Sequence, residues 1–233
     1  MTLLEASGLT RHFDGLKAVD KVNFDLAEGE IHALIGPNGA GKTTFVSLLS
    51  GRIPVQSGTI RFAGRDITRL PAHARVRAGI AYTFQITQVY AALSVFDNVA
   101  LAVQSRHSRQ LTEDAMAALA RVGIEDRADQ EAGTLSYGHQ RLLEVAMGLA
   151  LKPKLLILDE PTQGLAIGEI ETFKDIVRSV VPDATVLLIE HNMDVVMDLA
   201  ERITVLNFGE VLATGTPEEI RANKAVQTAY LGG

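Results

Sequence analysis

A glycine-rich loop between an apolar strand and a helix is the feature that most constrains the fold of this chain. Residues 36–44 read Gly-Pro-Asn-Gly-Ala-Gly-Lys-Thr-Thr and fill the phosphate-binding pattern G-x-x-x-x-G-K-[ST]. They follow the apolar run Ile31–Ile35 and precede a predicted helix from Thr44 to Leu49. Glycine readily takes up positive φ angles, so the backbone N–H groups of such a loop can turn inward onto an anion at the helix N-terminus.

The loop predicts a site for a nucleoside triphosphate. A glycine-rich turn that only connects strand to helix is the alternative, but the strand–loop–helix context favours the phosphate site. Lys42 is expected to reach the β- and γ-phosphates, and the Thr43 hydroxyl to hold Mg²⁺. The residues predicted to bind the nucleotide here are Gly36, Pro37, Asn38, Gly39, Ala40, Gly41, Lys42, Thr43 and Thr44.

Composition excludes several classes of protein. The 233 residues carry a net charge of −6, which argues against a nucleic-acid binder. The absence of cysteine excludes disulfides and thiolate metal sites. The longest apolar stretch, Leu142–Leu158, is interrupted by charged residues and proline, and the N-terminus does not resemble a signal peptide. Any role at a membrane is therefore expected to depend on a partner protein.

The pattern along the chain predicts one α/β core with a helical insertion of about 50–60 residues. Residues 2–35 and 57–64 read as short strands, and 94–150 as helical, with a helix from Thr112 that Gly123 ends and a buried helix after Ser136. Strand patterns return at 155–158, 185–189 and 203–206, with helices between them, as in a mainly parallel sheet. Thr216 begins a last helix as its N-cap.

Polar residues end two of these strands. Asp159 and Glu160 follow Leu155–Leu158, at the sheet end where ligands bind in parallel sheets. We expect Asp159 to hold the metal through water and Glu160 to act as general base toward the γ-phosphate. A helix-start role for both carboxylates is the alternative. His191 ends the next strand, where it can bond to phosphate and attacking water.

A second phosphate site is predicted at the start of the buried helix. Ser136 is explained by N-capping alone. Gly138 is not, because glycine in a first turn costs stability, so we attribute it to close approach of another molecule. Two phosphate sites for one nucleotide suggest a dimer, in which the loop of one subunit and the Ser136 helix of the other enclose the same ATP.

Together these segments resemble the ATP-binding cassette (ABC) ATPases over nearly the whole chain. Residues 36–44 are similar to Walker A, 155–160 to Walker B, 135–140 to the family signature, 83–85 to the Q-loop and His191 to the switch histidine. The resemblance implies a P-loop NTPase core with an N-terminal antiparallel β subdomain and a helical insertion. It places the core and β lobe at about 1–85 and 152–233 and the helical lobe at about 86–151. It also implies that Gln85 contacts the Mg²⁺ and water site and that Phe13 stacks on adenine.

Within the family, the chain resembles ATPases of branched-chain amino-acid importers and related urea or amide importers. The segments that carry this likeness are 34–38, 83–85, 135–138, 189–197 and 229–233. Four positions depart from the pattern: Tyr82 stands in place of an arginine, Tyr137 and His139 change the signature, and Ala166 replaces an aspartate of the D-loop.

The resemblance implies an ATPase subunit that lies on the cytoplasmic face of the membrane. Its expected partners are transmembrane permease subunits, a second ATPase subunit in a homo- or heterodimer and, indirectly, a substrate-binding protein, with ATP and Mg²⁺ as ligands. Alternatives are an export ATPase of the lipopolysaccharide type, an ATP-gated clamp without a transport role, and a nearly inactive member of a heterodimer, which Ala166 and His139 suggest.

Overall fold

The computed structural model describes residues 1–83, 88–181 and 183–231. The chain forms two sheets and the helices that cover them. The strands are β1 Thr2–Phe13, β2 Leu16–Ala27, β3 Ile31–Ile35, β4 Ser57–Phe62, β5 Arg65–Asp66, β6 Ile80–Tyr82, β7 Leu155–Asp159, β8 Thr185–Ile189, β9 Arg202–Asn207 and β10 Glu210–Gly215. The helices are α1 Lys42–Ser50, α2 Ala72–Ala78, α3 Val95–Ser105, α4 Leu111–Arg121, α5 Tyr137–Ala150, α6 Ile167–Val180, α7 Met193–Leu199, α8 Pro217–Ala222 and α9 Lys224–Leu231.

The first sheet is antiparallel, with strand order β2-β1-β4-β5. Its two leading strands are 12 residues long and form a hairpin, so the short strands predicted for this region are wrong in length. Asp14 and Gly15 connect them with φ angles of 44° and 89°. Positive φ at both central residues is the requirement of a type I′ hairpin turn, which the Asp-Gly pair satisfies. This hairpin brings Phe13 to its tip.

The second sheet has the strand order β10-β9-β3-β8-β7-β6 and is parallel except for the edge strand β10. Every residue of β3, β7 and β8 is buried, as expected for strands covered on both faces. The mainly parallel sheet predicted from sequence is confirmed. Because β3, β8 and β7 are neighbours, the segments that follow their carboxyl ends meet at one edge of the sheet.

Helices α3, α4 and α5 form the predicted helical insertion. Gly123 follows α4 with a φ of 71°, as expected for a residue that ends a helix. Val95, Val99 and Leu143 share one buried cluster with Leu156 and Leu158 of the sheet. The helices therefore pack directly on one face of the parallel sheet.

Separate apolar clusters cover the rest of the sheet. One joins the hairpin strands and α1 to the face that carries Ile157 and Leu187. Another packs Ile220 of α8 and Val226 of α9 against β9. Within the described ranges no helix is long and apolar enough to cross a membrane.

Candidate functional site

The phosphate loop connects β3 to α1 in a conformation that needs glycine. Gly36, Gly39 and Gly41 have φ angles of 152°, 78° and 100°. A Cβ atom on Gly36 would lie 2.2 Å from the carbonyl oxygen of Leu206, and one on Gly41 would lie 2.0 Å from that of Ala18. Any side chain at these two positions would therefore displace a neighbouring strand. The positive φ angles predicted for the loop are present at all three glycines.

Lys42 lies in the first turn of α1 with its ammonium group turned back over the loop. The Nζ atom donates to the carbonyl oxygens of Gly36, at 2.6 Å, and Pro37, at 3.2 Å. Burial lowers the pKa of this ammonium, because desolvation disfavours its charged form. Within the described residues, no side chain caps the N-terminus of α1. The positive helix end and the ammonium group thus face the same loop, and Thr43 is exposed beside them.

Phe13 lies at the tip of the hairpin whose strand β2 packs beside the phosphate loop. Gly209 connects β2 to the loop, because its carbonyl accepts from Asp20 N–H at 2.8 Å and its N–H donates to the Ala40 carbonyl at 3.0 Å. The Phe13 side chain is 39% exposed, and the Arg11 guanidinium lies 4.7 Å from its ring centroid. Its predicted contact with adenine stays a prediction.

Asp159 is the last residue of β7 and is almost fully buried. Its Oδ2 atom accepts a hydrogen bond of 2.5 Å from the Tyr82 hydroxyl, which in turn accepts from Arg52 Nη1 at 3.0 Å. Burial raises the pKa of Asp159, and the Tyr82 hydrogen bond acts in the opposite direction by stabilising the carboxylate. Burial likewise raises the pKa of Tyr82, so its hydroxyl stays protonated. Sequence analysis noted Tyr82 only as a departure from the family pattern.

Glu160 and His191, which follow the neighbouring strands β7 and β8, lie in contact. The Nε2 atom of His191 is 2.6 Å from Glu160 Oε1. Glu160 has a φ of 48°, an uncommon conformation for a residue other than glycine. Its N–H still donates to the Ile189 carbonyl at 2.8 Å, which continues the pairing of β7 with β8. The strained residue directs its carboxylate toward the histidine.

Glu190, to which sequence analysis gave no role, connects the segment after Glu160 to the segment that carries His191. Its Oε1 atom accepts from the Thr162 N–H at 2.9 Å and the Thr162 hydroxyl at 2.6 Å. Its Oε2 atom accepts from the N–H groups of His191, at 2.9 Å, and Asn192, at 3.1 Å. The side chain is buried at 3% exposure. One carboxylate therefore fixes the segment after Glu160 relative to the segment that carries His191.

The signature segment begins α5 as predicted. Ser136 Oγ accepts from the His139 N–H at 3.3 Å and lies 2.7 Å from His139 Nδ1. His139 thus replaces the expected glutamine without loss of the serine cap. Gly138 has a reason within this chain, since a Cβ atom there would lie 2.3 Å from Glu169 Oε1 of α6. The close approach of another molecule to Gly138 stays a prediction.

The exposed part of the signature faces the segment before α6. Tyr137 is 43% exposed, and a Cβ atom on Gly164 would lie 2.9 Å from the Tyr137 ring. Ala166 is the N-cap of α6, and its N–H donates to Glu169 Oε2 at 2.8 Å. Glu169 therefore stabilises the helix start that a side chain at Ala166 cannot cap.

Arg141 connects the signature helix α5 to the segment that begins at Glu160. Sequence analysis missed this role. This fully buried side chain donates from Nη2 to the carbonyl oxygen of Glu160 at 2.9 Å. Its Nη1 atom pairs with Glu144 Oε2 at 2.6 Å. An arginine inside an apolar helix pattern was the only signal available in the sequence.

The residues present fit a triphosphate accompanied by a cation. The loop offers a glycine cradle, a helix N-terminus and an ammonium group to an anion. Within the described ranges, no group of three or more His, Asp or Glu side chains could hold a metal by itself. Asp159 and Thr43 would therefore share a cation with phosphate oxygens and water. Gln85, the other predicted ligand, lies outside the described residues.

Comparison with known proteins agrees with this geometry. Residues 19–163 match the family model described as ABC transporter, and residues 210–233 match the model described as branched-chain amino acid ATP-binding cassette transporter. The high-affinity branched-chain amino acid transport ATP-binding protein BraF of Pseudomonas aeruginosa is 40% identical, over 99% of this chain and 98% of that protein. The lipopolysaccharide export system ATP-binding protein LptB of Escherichia coli is 35% identical, over 100% and 98%.

A solved structure shows the same architecture. The crystal structure of a nucleotide-free ATP-binding cassette from an ABC transporter superposes with a TM-score of 0.91 at 27% identity and covers 100% of both chains. The family match spans the phosphate loop, the signature and the Asp159–Glu160 pair. This chain belongs to the ATP-binding cassette family of ABC transporters.

Proposed function

We propose that this chain binds and hydrolyses ATP as the ATPase subunit of a membrane importer for branched-chain amino acids or related amino acids and amides. One observation carries the hydrolytic part of the proposal. Three adjacent strand ends of a single sheet present the phosphate loop, the buried Asp159 and the Glu160–His191 pair at one edge. That arrangement supplies a site for the triphosphate, a carboxylate for a cation and a base beside the γ-phosphate.

In the proposed reaction, Lys42 and the loop N–H groups hold the β- and γ-phosphates. Thr43 and Asp159, with Gln85 as predicted, would hold Mg²⁺, which neutralises phosphate charge when it is bound. Glu160 takes a proton from a water molecule as the water oxygen bonds to the γ-phosphorus. The bond from that phosphorus to the β–γ bridging oxygen breaks, which gives ADP and inorganic phosphate. His191, hydrogen-bonded to Glu160, orients the base and the transferred phosphoryl group.

The signature segment supports a head-to-tail dimer as part of the proposal. Ser136 and Tyr137 are exposed at the start of a helix of 14 residues. In the dimer, Ser136 and the backbone around Gly138 would bind the γ-phosphate held by the partner's phosphate loop. ATP binding would close the dimer and hydrolysis would reopen it. The ATPase dimer would pass that motion to transmembrane permease subunits, which it would contact from the cytoplasmic side of the membrane.

The cargo assignment depends on similarity. The match of residues 210–233 to the branched-chain amino acid cassette model and the higher identity to BraF than to LptB favour import over export. Reconstitution with co-purified permeases and a substrate-binding protein tests it. ATP-dependent uptake of labelled leucine, but not of urea, would support the branched-chain assignment, and uptake of neither would contradict it.

Glu160→Gln tests the base. We expect hydrolysis to fall at least a thousandfold while ATP binding persists and a dimer accumulates, because the amide cannot accept the water proton. Glu171→Gln is the matched control, since that side chain is 64% exposed on α6. Unchanged turnover in Glu160→Gln would refute the assignment. A wild-type chain without turnover would instead favour a nearly inactive member of a heterodimer.

A further inference from the structure

Tyr82 is placed to orient the carboxylate of Asp159. The tyrosine ends β6, the edge strand that pairs with β7, so its side chain and that of Asp159 emerge from neighbouring strands. The bond between Tyr82 Oη and Asp159 Oδ2 is 2.5 Å long and spans 77 residues of sequence. Tyr82 is only partly exposed and Asp159 is 2% exposed, so water competes weakly for this contact.

Arg52 makes a second hydrogen bond to the same hydroxyl. Its Nη1 atom donates to Tyr82 Oη at 3.0 Å, and its guanidinium lies 5.0 Å from the centroid of the same ring. A guanidinium has donors only, so the tyrosine oxygen must accept from Arg52. The single hydroxyl proton is then directed to Asp159. The ionised carboxylate can only accept, so the two contacts agree, and the Tyr82 hydroxyl is held from both sides.

The Tyr82 hydroxyl contacts one of the two carboxylate oxygens. Oδ2 accepts from Tyr82, and no hydrogen bond to Oδ1 is present among the described residues. Tyr82 therefore restrains the rotation of the carboxylate through Oδ2 alone. Oriented ligands of this kind bind cations more tightly than mobile ones, because no rotamer freedom is lost when the cation binds.

We propose that Tyr82 and Arg52 are positioning residues that hold Asp159 in the orientation in which it binds the divalent cation of the nucleotide complex. This inference rests on the proposed function, which assigns the cation to Asp159. It adds two residues to the metal site, neither of which contacts the cation itself.

Tyr82→Phe tests the inference, because it keeps the ring under Arg52 and removes only the hydroxyl. The probe is Mn²⁺, titrated into protein that is saturated with ATP, with free Mn²⁺ read from its electron paramagnetic resonance signal. We expect Mn²⁺ affinity to fall about tenfold, the usual effect of removing a partner of a metal ligand. ATP affinity in EDTA should stay within about twofold, and turnover should recover at high Mg²⁺ concentration.

Two further variants complete the experiment. Arg52→Met keeps an apolar chain over the ring but removes the donor, and we expect about a threefold loss of Mn²⁺ affinity because the Tyr82 hydroxyl is then held from one side only. Tyr90→Phe, at a tyrosine that is 59% exposed, is the matched control and should bind Mn²⁺ as the wild type does.

The outcomes separate the inference from the proposed function. Wild-type Mn²⁺ affinity in Tyr82→Phe overturns the inference and leaves ATP hydrolysis by this chain intact. Equal losses of ATP affinity with and without metal, together with a lower melting temperature, also overturn it, since they indicate a structural role alone. A wild-type protein that binds no ATP overturns the proposed function and the inference that rests on it.

Discussion

Replacement of Glu190 by glutamine should weaken the contacts that hold the segments after β7 and β8 together, and it should leave the phosphate loop unchanged. The carboxylate accepts four hydrogen bonds, two at each oxygen. A glutamine keeps one oxygen and places an NH₂ group at the other position. With the amide oxygen toward His191 and Asn192, the NH₂ group can still donate to the Thr162 hydroxyl, but it faces the Thr162 N–H. The reverse orientation opposes two backbone N–H groups and is worse.

The more favourable orientation of the glutamine amide determines how much the free energy of unfolding falls. One buried N–H loses its acceptor, which costs about 1–3 kcal/mol, and the remaining bonds lose the strength that a charged acceptor gives them. The gain from removing a buried charge offsets part of this loss. We expect the free energy of unfolding to fall by about 3 kcal/mol, which lowers the melting temperature of a chain of this size by roughly 6–12 °C.

Urea unfolding of the nucleotide-free protein measures the loss, and ATPase assays measure its effect on chemistry. Turnover should fall because Thr162 lies two residues after the predicted base and His191 is the predicted switch residue, while ATP affinity in EDTA should not change. Glu171→Gln, on the exposed face of α6, should alter stability by less than about 0.5 kcal/mol. A loss that small in Glu190→Gln would refute the role given to this carboxylate.

Three further predictions concern other parts of the structure. In urea unfolding without nucleotide, Gly39→Ala should cost about 1 kcal/mol for its positive φ, and Gly41→Ala about 3 kcal/mol because its Cβ also meets a backbone oxygen; equal costs would contradict the close approach. Gly138→Ala should destabilise the wild type but much less so when Glu169 is alanine, as a double-mutant cycle would show, whereas additive effects would exclude that contact. The Lys152 hydrogen bond lowers the pKa of Asp114, so its contribution is present above about pH 4 and disappears as the pH falls through the lower folded-state value. In acid unfolding, the stability difference between wild type and Asp114→Asn should therefore shrink below about pH 4, and a constant difference would exclude this ion pair.

Local patterns predicted the parts of the site that depend on neighbouring residues. The phosphate loop, the Ser136 cap and the Thr216 cap each lie within a few residues of the backbone groups they serve. Their chemistry is therefore visible in spacing alone. The placement of Glu160 and His191 at one edge of the sheet was also predictable, because each follows an apolar strand of a parallel sheet, although their direct contact was not predicted.

Contacts between distant residues could not be predicted in this way. The Tyr82–Asp159 bond depends on β6 lying beside β7, and the bonds of Glu190 to Thr162 depend on β7 lying beside β8. Hydrophobic patterns indicate that strands exist but do not determine their lateral order. The lengths of β1 and β2 were missed for another reason. Register shifts interrupt their pairing, so the alternation of buried residues breaks within a continuous strand.

The position of the Arg141 side chain bears on how the two nucleotide sites of a dimer could be coupled. Its guanidinium holds the carbonyl of Glu160, while its backbone belongs to the helix that begins after Ser136. A rotation of this helix either carries the Glu160 segment with it or breaks the bond between the Arg141 guanidinium and the Glu160 carbonyl. In the proposed dimer, Ser136 contacts one ATP, and Glu160 activates the water that attacks the other. The Arg141 side chain would then couple hydrolysis at one nucleotide site to the contacts made at the other.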